Sequence, residues 1–184
     1  MSISDRLDKR EAYYAAAIGR LRRAIAKGII GEDTEEIRVW IEKFCVGRGL
    51  DICTGDFPMS EGAIGIDPDE LKLGCHYNIQ GDQLTPIDSG EMDYVVTNYF
   101  DCFPNPLSTL QEWHRVLRSG GTLAFACCNN ESYVSTDPMG PLANRHRLSV
   151  FTQSTVGVYL HRAGFREVEI EKHKKHLFVN AKKP

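Results

Sequence analysis

Four short apolar runs in this sequence each lead to a residue able to hold a polar ligand. Leu50-Asp51-Ile52 runs into Cys53, Thr54 and Gly55, and Ala63-Ile64-Gly65-Ile66 stops at Asp67-Pro68. Tyr77-Asn78-Ile79 leads to Asp82 and Gln83, and Tyr94-Val95-Val96 leads to Asn98, Tyr99 and Asp101. The chemistry on offer is recognition of a hydroxyl-bearing group rather than of phosphate. A carboxylate such as Asp67 can accept two hydroxyl hydrogen bonds, which is what a ribose diol presents. Gly55 allows the backbone an approach to a ligand that a Cβ would block. A dinucleotide fingerprint needs Gly-x-Gly-x-x-Gly directly after the first strand. Here Gly47 and Gly49 precede the strand and Gly55 stands alone after it, so NAD is disfavoured. Taken alone, Asp67-Pro68-Asp69 also reads as a turn and helix cap.

Reactive side chains near the same strand ends are Tyr99, Asp101, Asn129, Asn130, Tyr133 and His146. His114 sits mid-helix beside Trp113 and reads as a packed or surface helix residue. Six cysteines include no Cys-x-x-Cys pair, and six histidines form no His-x-x-x-His array. Zinc ribbons, thioredoxin-type redox chemistry and a metal site therefore have no support. Lys plus Arg is 22 against 25 for Asp plus Glu, a formal net charge of −3, which is no nucleic-acid-binding excess. The two basic concentrations, Gly19–Arg23 and Glu171–His176, read as an exposed helix face and a solvated hairpin turn.

The elements that must position these residues fall into two regimes. Leu7, Tyr14, Ile18, Leu21 and Ile25 trace one stripe of a helix over residues 5–27, stopped at Gly28. Asp33 offers an N-cap, with Glu36 three residues on, for a second helix to about Cys45. From Gly47 strands alternate with helices. Leu50–Cys53, Ala63–Ile66, Tyr77–Ile79, Met92–Thr97 and Thr122–Cys128 read as five strands. Helices cover Leu107–Leu117, closed by Gly120-Gly121, and Thr152–Ala163, stopped by Gly164. Val168–Ile170 and Leu177–Val179 close the chain as an antiparallel pair. Alternation with fully apolar central strands argues an α/β fold around a mostly parallel sheet. Only residues 54–62 separate the first two strands, too few for an ordinary crossover, so that helix must be missing or reduced to a turn. At 184 residues a single domain burying about 70% of its extended surface is expected. No apolar run approaches a membrane span and the N-terminus has no apolar signal region, so a cytoplasmic protein with reduced thiols is expected.

The assembled pattern resembles the class I S-adenosylmethionine-dependent methyltransferases. The resemblance is carried by Gly49-Leu50-Asp51-Ile52-Cys53-Thr54-Gly55, Ile64-Gly65-Ile66-Asp67, Gly81-Asp82-Gln83-Leu84 and Met92-Asp93-Tyr94-Val95-Val96. It continues through Leu110 to Gly121, with its Arg-Val-Leu-x-x-Gly-Gly ending, and Ala163-Gly164-Phe165. It implies a Rossmann-like sandwich over residues 47–184 with a C-terminal antiparallel hairpin, and residues 1–46 as a helical extension. It implies S-adenosyl-L-methionine as cofactor, with Asp51 and Gly55, next to Cys53, beside the methionine part. Asp67 would hold the ribose and Pro68 would pack near the adenine. Asp82 and the Gln83 backbone would meet the adenine, and Asn98 would offer its carbonyl near the sulfonium. The family's first loop carries three glycines at alternate positions; here those positions are Cys53, Gly55 and Phe57. Some members with similarly shortened first loops act on sugars or surface polysaccharides. The leading expectation is methyl transfer to a small or sugar-like acceptor, with Tyr99, Asp101 and His146 as candidate catalytic groups. The rivals are a catalytically silent partner-binding subunit and a nucleic-acid methyltransferase. A homodimer or a partner protein could meet the N-terminal helices.

Overall fold

The computed structural model describes residues 32–72, 74–132 and 146–184. The expected helix over residues 5–27 and the loop residues 133–145, Tyr133 included, lie outside the described residues. Six strands form one sheet in the order β2-β1-β3-β4-β6-β5. β1 (Gly49–Ile52), β2 (Ile64–Ile66), β3 (Met92–Thr97) and β4 (Leu117–Cys128) pair in parallel. β5 (Arg166–His173) and β6 (His176–Lys182) add an antiparallel hairpin at the β4 edge, as the sequence suggests. Among the described residues three α-helices accompany the sheet: α1 (Glu32–Glu42), α2 (Pro106–Val116) and α3 (Gln153–Ala163). Thr152 caps α3 through a reciprocal pair with Thr155, and Gly164 ends it at φ 101°.

The two faces of the sheet are covered differently. On one, α2 and α3 bury Leu110, Trp113, Val156 and Leu160 against Leu50, Ile52, Val95 and Phe125. Right-handed crossovers put the β1–β2 connection on the opposite face from α2, because β2 and β4 lie on opposite sides of β1 and β3. Among the described residues the connection supplies Met59 and Ala63 on that second face, and α1 packs beside them. Its Ile37 and Ile41, one turn apart, pack with Tyr94, Val96, Ala124, Ala126 and Phe178. Glu36 ties α1 to the β5–β6 turn through His173 and Lys174, each at 2.8 Å.

Four sequence expectations need correction. α1 starts at Glu32, so Asp33 is not its N-cap. It ends at Glu42, short of Cys45, because the chain tightens to Phe44 N–H on Ile41 O at 3.0 Å and Cys45 N–H on Glu42 O at 3.2 Å. The strand expected at Tyr77–Ile79 is one bridge between Tyr77 and Ile66; Asn78, Gly81 and Asp82 bring turn chemistry instead of a pairing edge. β4 begins at Leu117, before the two glycines, since Leu117 already pairs with Met92. A register shift there and Gly120 at φ 74° absorb the residues between.

Candidate active site

β1 and β3 are adjacent, yet their chains leave toward opposite edges of the sheet. In an open α/β sheet the crevice beyond such a pair of strand ends is where ligands bind. A cleft of about 1050 Å³ opens there. Its first wall is the loop after β1, with Cys53, Gly55, Asp56 and Phe57. Asp67 and Pro68 after β2 form the second, and Gln80 to Gln83 the third. Tyr99, Cys102, Phe103 and His146 close the far side.

The loop after β1 curls instead of entering a helix because Cys53 and Gly55 both adopt φ 57°, a left-handed conformation. Gly55 suits it; Cys53 is a strained choice at that angle. Asp67 fixes the curl: its Oδ2 accepts the Gly55 N–H at 3.0 Å, while Oδ1 accepts the Asp69 N–H at 2.9 Å. A carboxylate offers about four lone-pair sites, so each oxygen keeps capacity for one further donor. Tyr77 O accepts the Asp67 N–H at 3.2 Å, fixing the residue's backbone at the β2 end.

Asp51 does not line the cleft itself. Leu50 and Ile52 face the α2–α3 core, so strand alternation turns Asp51 to the opposite face, beneath the crossover loop. There it is buried, and Oδ2 accepts the Met59 N–H at 2.6 Å and the Thr54 hydroxyl at 3.2 Å. Its Oδ1 is buried without a hydrogen-bond partner. Burial pushes this carboxyl up to about 7, against the Met59 and Thr54 bonds and the nearby Arg38 charge. Asp51 therefore shapes the loop rather than lining the cleft.

Asn98 also lies outside the main cleft. It lines a side compartment of about 180 Å³ that shares Tyr99 and Cys102 with it. Asp101 stands in this compartment, where Oδ2 accepts the Cys128 N–H at 3.3 Å and meets Arg147 Nε at 3.0 Å. Its backbone carbonyl accepts the Leu148 and Ser149 N–H groups at 2.8 and 3.0 Å. Burial raises the Asp101 carboxyl and the Arg147 charge opposes it. Gln83 lines the cleft, but its N–H already donates to Gln80 O at 3.0 Å, so it does not stand ready for an adenine nitrogen.

Burial also pushes the Cys53 thiol up to about 12 and the Cys102 thiol up to about 11, so neither is a thiolate nucleophile at neutral pH. The Tyr99 phenol is raised by burial as well. His114 packs edge-on against Phe165, away from the cleft. Among the described residues no group of His, Cys, Asp or Glu could hold a metal ion. Lys72, Gln80 and Phe103 line the cleft, although nothing in the sequence marks them out. Lys72 sits in the ordinary charge pattern Asp69-Glu70-Leu71-Lys72, which carries no signal of a site.

This architecture, a crevice at the turning point of a mostly parallel sheet closed by an antiparallel hairpin, is that of the class I methyltransferases. Residues 48–125, from the approach to β1 into β4, match the methyltransferase domain family. Fold and match together are consistent with a class I S-adenosylmethionine-dependent methyltransferase. Among solved structures it is similar to a Thermotoga maritima S-adenosylmethionine-dependent methyltransferase, named a possible histamine N-methyltransferase. That pair has a TM-score of 0.70 and 15% identity over 94% of this chain and 99% of the other. An S-adenosylmethionine-dependent methyltransferase from Archaeoglobus fulgidus gives 0.66 and 16% identity over 81% and 92%. Phosphoethanolamine N-methyltransferase 2 from Haemonchus contortus, in complex with S-adenosyl-L-methionine, gives 0.63 and 11% identity over 82% and 52%. No curated protein sequence matches the chain significantly.

The cleft fits this cofactor. Its volume lies at the upper end of the range for small-molecule sites. Asp56, Asp67 and Asp82 outnumber Lys72 in its walls, as suits a ligand carrying a net positive charge.

Proposed function

We propose that the protein transfers a methyl group from S-adenosylmethionine to a small-molecule acceptor. The observation that carries this reading is Asp67, set at the end of β2 and in the wall of the switch-point cleft with acceptor capacity left on both oxygens. Bound S-adenosylmethionine supplies an electrophilic methyl group on a positively charged sulfur. Asp67 receives the two ribose hydroxyls, and Asp82 accepts from the adenine amino group. Pro68 and Phe103 give the ring apolar contact. The Gly55 backbone leaves room for the chain that joins the ribose to the amino acid.

The acceptor enters through the side compartment, whose shared residues Tyr99 and Cys102 border both spaces. A volume of about 180 Å³ is about that of six waters in the liquid, which suits a compact acceptor. Positioning the attacking atom in line with the methyl group is the main task left to the protein. Asp101 already holds Arg147 and the Cys128 N–H, and the cleft thiols stay protonated. Among the described residues this favours an acceptor that attacks through its own lone pair, as a neutral amine does. Two of the structurally similar proteins bear N-methyltransferase names, in keeping with that choice. His146, at the cleft rim, is placed to take the proton released after transfer.

Calorimetric titration of the full chain with S-adenosylmethionine and S-adenosylhomocysteine, beside Asp67→Asn and Asp67→Ala, tests the reading. Both ligands should bind the wild type, and each substitution should weaken them by at least about tenfold. A wild type that binds neither at millimolar concentration refutes it.

A further inference from the structure

Residues 53–63 cross from β1 to β2 without a helix. The partial positive charge of a helix N-terminus, which would attract an anion beside the first strand, is therefore missing. The structure puts a whole charge there instead. Lys72 lines the cleft with Gly55 and Asp56, and no other Lys or Arg among the described residues does so. Its ammonium lies 3.6 Å from Asp56 Oδ2 and 3.9 Å from Asp69 Oδ2. Both separations exceed hydrogen-bond reach, so the charge is attracted to these carboxylates without being locked to either.

The segment that carries Lys72 is fastened to the loop after β1. Gly74 N–H donates to Gly55 O at 3.0 Å, and Lys72 N–H donates to Asp69 O at 3.0 Å. A Cβ at Gly74 would lie 2.7 Å from Thr54 Oγ1 and 3.0 Å from Gly55 O, so the two stretches of chain are in direct contact. A carboxylate entering this cleft meets Asp56, Asp67 and Asp82 in its walls, and Lys72 is what offsets their repulsion.

We propose that Lys72 and Asp56 form a two-charge clamp for the amino-acid end of the cofactor, Lys72 taking the α-carboxylate and Asp56 the α-ammonium. This deepens the methyltransferase reading and rests on it. The pair, 3.6 Å apart, opens to exchange its mutual attraction for the matching charges of the zwitterion. Lys72 is a positioning residue in this scheme and takes no part in methyl transfer itself.

The test compares two ligands of the same full-length protein by calorimetry. S-adenosylhomocysteine carries the zwitterion without the sulfonium charge; 5′-methylthioadenosine keeps the nucleoside and thioether but lacks the amino acid. Lys72→Met should weaken S-adenosylhomocysteine roughly tenfold or more, the value of a charge-assisted hydrogen bond, and leave methylthioadenosine within about twofold. Lys72→Arg should restore most of the loss, and Asp56→Asn should also affect S-adenosylhomocysteine alone. Unchanged S-adenosylhomocysteine affinity in Lys72→Met overturns the clamp, as does an equal loss for both ligands. A wild type that binds neither ligand removes the cofactor reading and the clamp with it. Wild-type binding of both with an unaffected Lys72→Met removes the clamp alone.

Discussion

Replacing Asp51 by asparagine should change how stability depends on pH in a direction opposite to the usual carboxylate. Asp51 is buried and its pKa rises from 3.8 to about 7, burial outweighing the Met59, Thr54 and Arg38 interactions. A carboxyl with a higher pKa folded than unfolded holds its proton more tightly in the folded state. Its contribution is thus full below the unfolded pKa of 3.8 and is lost as pH rises through about 7. The whole interval is worth on the order of 4 kcal/mol, at about 1.4 kcal/mol per pKa unit. Between pH 8 and pH 5 the share recovered is roughly 2–3 kcal/mol. The amide in Asp51→Asn does not titrate, so the wild-type-minus-variant difference isolates this one group. Urea unfolding of both proteins at pH 5, 6, 7 and 8 measures it, and the wild type should gain on the variant by roughly 1 M in midpoint at pH 5. Glu36, Asp93 and Glu112 have lowered pKa values and favour unfolding in acid, but they act equally in both proteins. A difference that stays flat, or that turns against the wild type on acidification, would refute the argument.

Ile41→Ala should cost about 2–5 kcal/mol in urea unfolding, because Ile41 is buried under α1 against the second face of the sheet. Val39→Ala, on the exposed side of the same helix, should stay within about 0.5 kcal/mol; equal costs would mean that α1 is not docked as described. Gly65→Ala places a Cβ 1.9 Å from the Gly74 carbonyl oxygen, so the segment carrying Lys72 must move off β2. Melting should fall by several degrees, consistent with about 1–3 kcal/mol of overpacking, and S-adenosylhomocysteine should bind more weakly. An unchanged melting curve would contradict the close approach.

The strands at Leu50, Ile64 and Tyr94 are legible in the sequence because largely buried parallel strands read as short, mainly apolar runs. Asp67 is legible for a related reason, since a charge that ends such a run must sit at a strand tip. That Asp51 stays out of the cleft lining is not legible, since strand alternation alone does not say what covers each face. The Gln83 N–H goes to a local turn with Gln80, a competition that spacing does not reveal. Lys72 reaches the cleft only because Gly74 packs on Gly55, a contact between loops with no periodic signature. The shortened crossover is plain from the count of residues. Its replacement by α1 is not, since Ile37 and Ile41 show an apolar stripe but not its partner.

That replacement has a consequence for the order in which the chain can assemble. An ordinary crossover helix docks on strands that flank it directly, closing short loops as it forms. α1 instead rests on residues near 60, 95, 125 and 178, so part of its seat belongs to β6, more than 130 positions away. During synthesis this helix leaves the ribosome well before Phe178 exists to receive it. The helix that seals the second face is thus made early and seated late. Until β6 has joined the sheet, Ile37 and Ile41 on one side and Tyr94 and Val96 on the other lack part of their covering. A chain stopped short of the C-terminal hairpin leaves both faces of that contact exposed to other chains.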